Sequence, residues 1–144
     1  MIALGCDHTG YELKQQVREH LESMGYECKD YGCGQCTASD YPIYGEAVGR
    51  AVASGECELG VLICGTGVGI SLCANKVKGV RAAVCSEPYS AKLARMHNNA
   101  NIVAFGARVV GRDLALMIVD AFFGAKFEGG RHQRRVDMME SIQP

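Results

Sequence analysis

A chain of 144 residues, 48% apolar and 22% charged, has the length and make-up of one soluble globular domain with a sizeable core. Its net charge of −1 offers nothing to nucleic acid or an anionic membrane, and no stretch is apolar for long enough to span a bilayer. The opening Met1-Ile2-Ala3-Leu4-Gly5 reads as a strand rather than a basic, long-cored leader, so the eight cysteines are expected reduced in a cytoplasmic protein.

Ile2–Cys6 is the first expected strand, ended by Asp7-His8, and Thr9-Gly10-Tyr11-Glu12 has the form of a capping box. Leu13, Val17, Leu21 and Met24 follow at helical spacing, with Gly25 as the stop. Tyr26–Tyr31 reads as a polar strand near a sheet edge. A loop of Gly, Cys, Ser and Thr leads to Asp40, placed to cap a helix with Pro42 in its first turn. Tyr44, Val48, Ala51 and Val52 are the buried stripe of that helix and Gly55 ends it. Leu59–Cys64 is a short continuous apolar run, the pattern of a strand covered on both faces. Gly79–Cys85 is a further strand, and Ser86-Glu87-Pro88 starts a helix through Ala91, Leu93, Ala94 and Met96 to His97-Asn98. Asn101–Phe105 is the fifth strand. Leu114, Met117, Ile118, Ala121 and Phe122 mark a helix to Gly124, and Gly129-Gly130 precedes a last amphipathic segment, Arg131–Ile142.

Strand and helix alternating in this way predict a parallel sheet wound on both sides, with ligands beyond the C-terminal strand ends. Asp7-His8, Cys64 and Glu87 fall at those ends, whereas His97-Asn98 precedes a strand and so belongs at the other end of the sheet.

The stretch that carries chemistry is Leu59–Ala74, strand, then Gly65-Thr66-Gly67-Val68-Gly69, then a short helix. That geometry turns backbone N–H groups and a helix N-terminus toward one spot, where an anion or a transient oxyanion is held. The phosphate loop of nucleotide hydrolases needs Lys then Ser or Thr after its last glycine, and Ile70-Ser71 stands there. A dinucleotide loop has two of its three glycines, Gly65 and Gly67, with Ile70 in the third place and Glu87 as the candidate ribose acid. Cys64, the last strand residue before the turn, sits where a helix N-terminus favours a thiolate over a thiol.

Other candidates have two readings each. Asp7-His8 can be a turn, or a carboxylate and imidazole for proton transfer and phosphate contact. His97-Asn98 reads first as a helix end, where a His suits the dipole. Arg131 and Arg135, four apart on one helical face, are a solvated charged face or a bidentate phosphate clamp that Arg108 could join. The opposite face, Val136, Met139 and Ile142, needs a surface to pack on. Cys33-Gly34-Gln35-Cys36 is a lone C-x-x-C with no second pair for zinc and a loop setting unlike that of a redox motif.

Taken together, GCDHTG, DYP at Asp40-Tyr41-Pro42, ICGTGVGIS, HNNANI, FGARVVG and GGRHQRRV resemble the type B ribose-5-phosphate isomerases, which share a family with galactose-6-phosphate isomerase subunits. The resemblance runs over essentially the whole chain. It implies an α/β fold, a Rossmann-like three-layer α/β/α sandwich around a five-stranded parallel sheet. It further implies one sugar-phosphate isomerase domain over 1–144, with the segment from about 125 to 144 at a dimer interface. The implied reaction interconverts D-ribose 5-phosphate and D-ribulose 5-phosphate through an enediolate, in the pentose phosphate pathway, with no metal and no organic cofactor. Cys64 matches the thiol base, and Ala74 stands near where some members carry a Glu instead. Thr66 and the N–H groups of Gly65, Gly67, Val68 and Gly69 match the hole that holds the enediolate oxygen. His97 matches the ring-opening residue, with Asp7 as relay partner. Asn98 and Tyr41 are placed at the sugar, and His8, Arg108, Arg131 and Arg135 at the phosphate, with Arg134 an additional arginine beside that pair. The resemblance also implies a homodimer or a tetramer of dimers with sites shared between subunits. The rival substrates are allose 6-phosphate and galactose 6-phosphate; the rival of another class is a non-catalytic nucleotide-binding module.

Overall fold

The computed structural model describes residues 1–35 and 37–142; Cys36, the second cysteine of the C-x-x-C, lies outside them. Five strands, Ile2–Cys6 (β1), Cys28–Asp30 (β2), Leu59–Cys64 (β3), Ala82–Val84 (β4) and Ile102–Gly106 (β5), form one parallel sheet in the order β2-β1-β3-β5-β4. Helices Tyr11–Ser23 (α1), Tyr41–Ala53 (α2), Val68–Ala74 (α3), Pro88–Asn98 (α4), Arg112–Phe123 (α5) and Arg131–Glu140 (α6) connect and follow them. The expected strands Tyr26–Tyr31 and Gly79–Cys85 shrink to three residues each because both are sheet edges, with one hydrogen-bonding neighbour apiece.

The period of two along each strand sorts the core into two layers. Val61 and Ile63 of β3 join Leu4 and Phe105 under α1, α4 and α5. Leu62 and Cys64 of the same strand face the other way, with Ala104, against Val48 and Val52 of α2 and Ile70 of α3. Ile63 and Phe105 have no exposed surface, and truncation to Ala would cost about 2–5 kcal/mol for Ile63 and about 3–5 kcal/mol for Phe105. The three-layer α/β/α sandwich is therefore what these alternating residues build.

From β1 the chain steps outward to β2, then returns past β1 to lay down β3 on its other side. The crevice between the C-terminal ends of β1 and β3 is thus the point where strand order reverses. Pairing of Cys6 with Ile63 puts Asp7 and Cys64 at its two lips.

Local expectations are met unevenly. Gly25 and Gly55 end α1 and α2 with φ of +94° and +83°. The Thr9–Glu12 capping box does not form. Asp7 caps instead, its Oδ1 accepting from Thr9 N at 3.0 Å and Thr9 Oγ1 at 2.6 Å, which turns His8–Gly10 into a single 3-10 turn before α1. Asp40 occupies the N-cap position of α2 with Pro42 behind it, but its carboxylate makes no capping bond. On α5, Met117 is exposed rather than buried. On α6, Val136 is buried while Met139 and, just past the helix, Ile142 stay 43% and 74% exposed, so one of the three residues of the expected apolar face is covered; His132 is buried as well.

Lys14 of α1 has 1% exposure, and its ammonium donates to Asp30 Oδ1 at 2.7 Å and to the Cys33 carbonyl at 2.6 Å. A buried charge requires such partners. They pin the end of β2 and the start of the loop that follows it.

Candidate active site

A cavity of about 430 Å³ opens over the β1–β3 crevice. Nine of the expected site residues line it: Asp7, His8, Tyr41, Cys64, Gly65, Thr66, Val68, Gly69 and Arg108. Cys64 ends β3 as a buried residue, 5% exposed, and the Gly67 N–H donates to its Sγ at 3.1 Å. The loop thus aims a backbone donor at the atom expected to carry charge.

Gly67 itself is buried and does not line the cavity. Its φ is +84°, and a Cβ there would lie 2.7–2.9 Å from the backbone of Phe105. Thr66 Oγ1 accepts from Val68 N at 3.2 Å. Two of the expected anion donors are therefore engaged inside the loop. An incoming oxyanion would compete with Thr66 for the Val68 N–H, whereas the thiol holds that of Gly67.

The cavity walls come from separate elements. The loop after β5 is tied to the glycine loop by Ala107 N to Cys64 O at 2.8 Å and Arg108 N to Gly65 O at 3.1 Å. The Arg108 side chain lies over Gly65, which brings an exposed cation to the rim. Tyr41, first residue of α2, lays its ring against Gly69, where a Cβ would come within 2.7 Å of Cε1. His8 is held by an exchange with Ser39, whose N donates to His8 Nδ1 at 3.2 Å while His8 N donates to Ser39 Oγ at 3.0 Å. An accepting Nδ1 leaves Nε2 as the N–H that can reach a ligand. Thr9 and Ser39 escaped the sequence reading. Thr9 was legible as a cap, which it is not, and Ser39 carried no signal beyond its place in a polar loop.

Five expected site residues are elsewhere. Gly67 lies beneath the loop, and His97, Asn98, Arg131 and Arg135 gather at the opposite end of the sheet, as the position of His97 before β5 requires. His97 Nε2 is 3.2 Å from Glu128 Oε1, and its ring stacks on His132 with centroids 4.1 Å apart and planes 9° from parallel. Burial first, and then the neighbouring His97, hold the His132 imidazole below its ordinary pKa. Asn98 borders a second cavity, about 620 Å³, with Arg81, Met139 and Ile142 on its walls. Asp7 does not meet His97 within the chain; its Oδ1 is taken by Thr9.

His97, Glu128 and His132 offer three ligand atoms within 4.8 Å. Nearly parallel stacked rings cannot both aim an in-plane lone pair at one ion, so this geometry favours two imidazoles beside a shared carboxylate over a metal centre. The nucleotide readings weaken in the same way. Ile70 is fully buried where a dinucleotide loop needs its third glycine, and Glu87 spends its carboxylate on Ser90 N at 3.0–3.1 Å as the cap of α4.

A family model described as Ribose/Galactose Isomerase matches residues 2–139. The chain is 56% identical over 142 residues to ribose-5-phosphate isomerase B of Escherichia coli, covering 99% of this chain and 95% of that one. Its structure superposes on ribose-5-phosphate isomerase B of Clostridium thermocellum with a TM-score of 0.96 at 52% identity, covering 98% and 95% of the two chains. The ribose-5-phosphate isomerase B of Mycoplasma genitalium, solved with bound ribulose 5-phosphate, matches with a TM-score of 0.93 at 44% identity, covering 96% and 93%.

Proposed function

The chain belongs to the ribose/galactose isomerase family, and from that premise we propose how its residues interconvert D-ribose 5-phosphate and D-ribulose 5-phosphate. The observation that carries the reading is Cys64 Sγ, facing the β1–β3 crevice with a backbone donor behind it and a cation at the rim.

Isomerisation moves a proton from C2 to C1 of an α-hydroxy aldehyde, and that C–H is only weakly acidic. A base and an oxyanion site must therefore act together. Cys64 as thiolate takes the C2 proton. The resulting enediolate oxygen is met by the N–H groups and hydroxyl around Gly65, Thr66, Val68 and Gly69. The same sulfur returns the proton at C1 while the O2 hydroxyl proton passes to O1, which leaves the ketose. His8 through Nε2–H and Arg108 hold the phosphate, and that handle fixes C1 and C2 against the sulfur. Tyr41 closes the sugar side. Cys64→Ala tests the base: it should fold normally and lose about 10²–10⁴-fold in turnover. Wild-type turnover in that variant would place the base elsewhere. Running the assay on ribose 5-phosphate, allose 6-phosphate and galactose 6-phosphate ranks the sugars.

Ring opening, sugar contact and the second half of the phosphate clamp are assigned to His97, Asn98, Arg131 and Arg135. These lie away from Cys64 in one chain, so the assignment requires a twofold dimer in which the α4–α6 corner of one subunit completes the crevice of the other. The uncovered Met139 and Ile142 beside that corner support the same arrangement. Subunit mixing tests it. A Cys64→Ala chain and a His97→Ala, Asn98→Ala chain, each inactive alone, are unfolded and refolded together. With shared sites, half the dimers are mixed and each has one intact site, giving about a quarter of wild-type activity. With sites built from single chains, nothing returns.

A further inference from the structure

Glu128 and His132 have no part in the chemistry described so far, yet they meet at His97. Glu128 lies in the connection between α5 and α6, where its backbone N donates to the Met96 carbonyl at 3.0 Å. That bond seats its carboxylate against the last turn of α4, with Oε1 3.2 Å from His97 Nε2. His132, in the first turn of α6, has 7% exposure and makes no hydrogen bond through its buried Nε2. Its Nε2 stands 3.6 Å from the same Oε1, so the carboxylate favours His97 over His132.

We propose that Glu128 and His132 are positioning residues for His97, Glu128 fixing the tautomer by accepting from Nε2–H and His132 fixing the ring plane by stacking. The inference rests on the reading of His97 as the ring-opening group. At 34% side-chain exposure, an unsupported His97 would sample several rotamers and both tautomers. With Nε2–H held by Glu128, Nδ1 is the nitrogen left to exchange a proton with the sugar hemiacetal. The stacked partner must stay neutral for this, since two imidazolium rings 4.1 Å apart would repel. The exposed Arg131 and Arg135 beside His132 oppose its protonation too.

The test separates ring opening from enolisation. Ribulose 5-phosphate carries its phosphate on O5, so it cannot close a furanose ring and reaches the enediolate without ring opening. Net conversion of ribose 5-phosphate is compared with solvent-deuterium exchange at C1 of ribulose 5-phosphate, followed by NMR, in wild type, Glu128→Gln, Glu128→Asp and His97→Ala. Glu128→Gln should slow net conversion about 10–100-fold, as loss of a histidine's orienting carboxylate does elsewhere, and leave the exchange rate within about threefold. Glu128→Asp, which keeps the charge, should lose less. Thermal unfolding confirms that the variants are folded, and side-chain exposures of 47% for Glu128 and 34% for His97 make them tolerable. Wild-type net conversion in Glu128→Gln, with His97→Ala impaired, overturns the inference and leaves His97 in its role. Equal loss of conversion and exchange also overturns it, since Glu128 would then support the whole site. No loss in His97→Ala removes the assignment of His97 and the inference with it.

Discussion

Gly67→Ala is the sharpest single perturbation of the crevice. The residue has φ of +84°, and the added methyl would stand 2.7, 2.8 and 2.9 Å from C, Cα and N of Phe105. Left-handed backbone costs a non-glycine residue about 1–2 kcal/mol. The contacts add to this because Phe105 is fully buried in β5, so its backbone cannot yield without shifting a central strand. Such overpacking costs about 1–3 kcal/mol, for a sum of about 2–5 kcal/mol. In a chain of this length that lowers Tm by roughly 10 °C. The relief available is for the loop to lift away from β5, and lifting separates the Gly67 N–H from Cys64 Sγ. Turnover should therefore fall at least tenfold at temperatures where the variant is still fully folded. Differential scanning calorimetry and the isomerase assay on one preparation measure both effects. A variant that melts within about 2 °C of wild type and keeps its turnover would refute the reasoning that Gly67 is fixed by Phe105.

Alkylation offers a second measure. Burial pushes the Cys6 thiol up to about 12 and those of Cys28 and Cys85 to about 11, so none of the three is appreciably ionised near pH 8. Iodoacetamide at that pH should label Cys64 ahead of all three, with substrate protecting it; earlier labelling of Cys28 would contradict this. The same shifts bear on stability, since a thiol whose pKa is raised by folding stabilises the fold fully below its unfolded value of 9.0. That contribution is lost as pH rises through 11 to 12, so denaturant midpoints should decline above pH 9, less steeply in Cys6→Ala. Prolonged EDTA treatment should leave turnover unchanged, and activity lost to the chelator and restored by zinc would give Cys33 a ligand role.

Much of this was legible in sequence because it rests on local chemistry. The apolar run Leu59–Cys64 and its glycine loop could fold only one way, and the C-terminal position of Cys64 on a parallel strand placed it in the crevice. What was illegible depended on distance. Glu12 could not reveal that Asp7, four residues before the start of α1, would take Thr9 and preclude the capping box. Ser39 became a partner of His8 through a loop whose path no periodicity encodes. That Gly67 turns inward, its N–H on Cys64 Sγ, was hidden as well, because spacing does not show which glycines do so. Strand order was hidden too: that β5 inserts between β3 and β4 is what brings Arg108 to the rim and carries Glu87 away from it.

The buried ammonium of Lys14 has a consequence for how such an enzyme changes. The segment after β2 is gripped from beneath, through Asp30 and the carbonyl of Cys33, and again at its far end through Ser39 and His8. Between those two fastenings residues 34, 35, 37 and 38 are exposed, so their side chains contribute little to folding. Exchanges at residues 34, 35, 37 and 38 would alter the approach to Ser39, the seat of His8, without disturbing β1, α1 or the thiol. A scaffold built this way lets a short exposed strip change while the reaction centre is inherited intact.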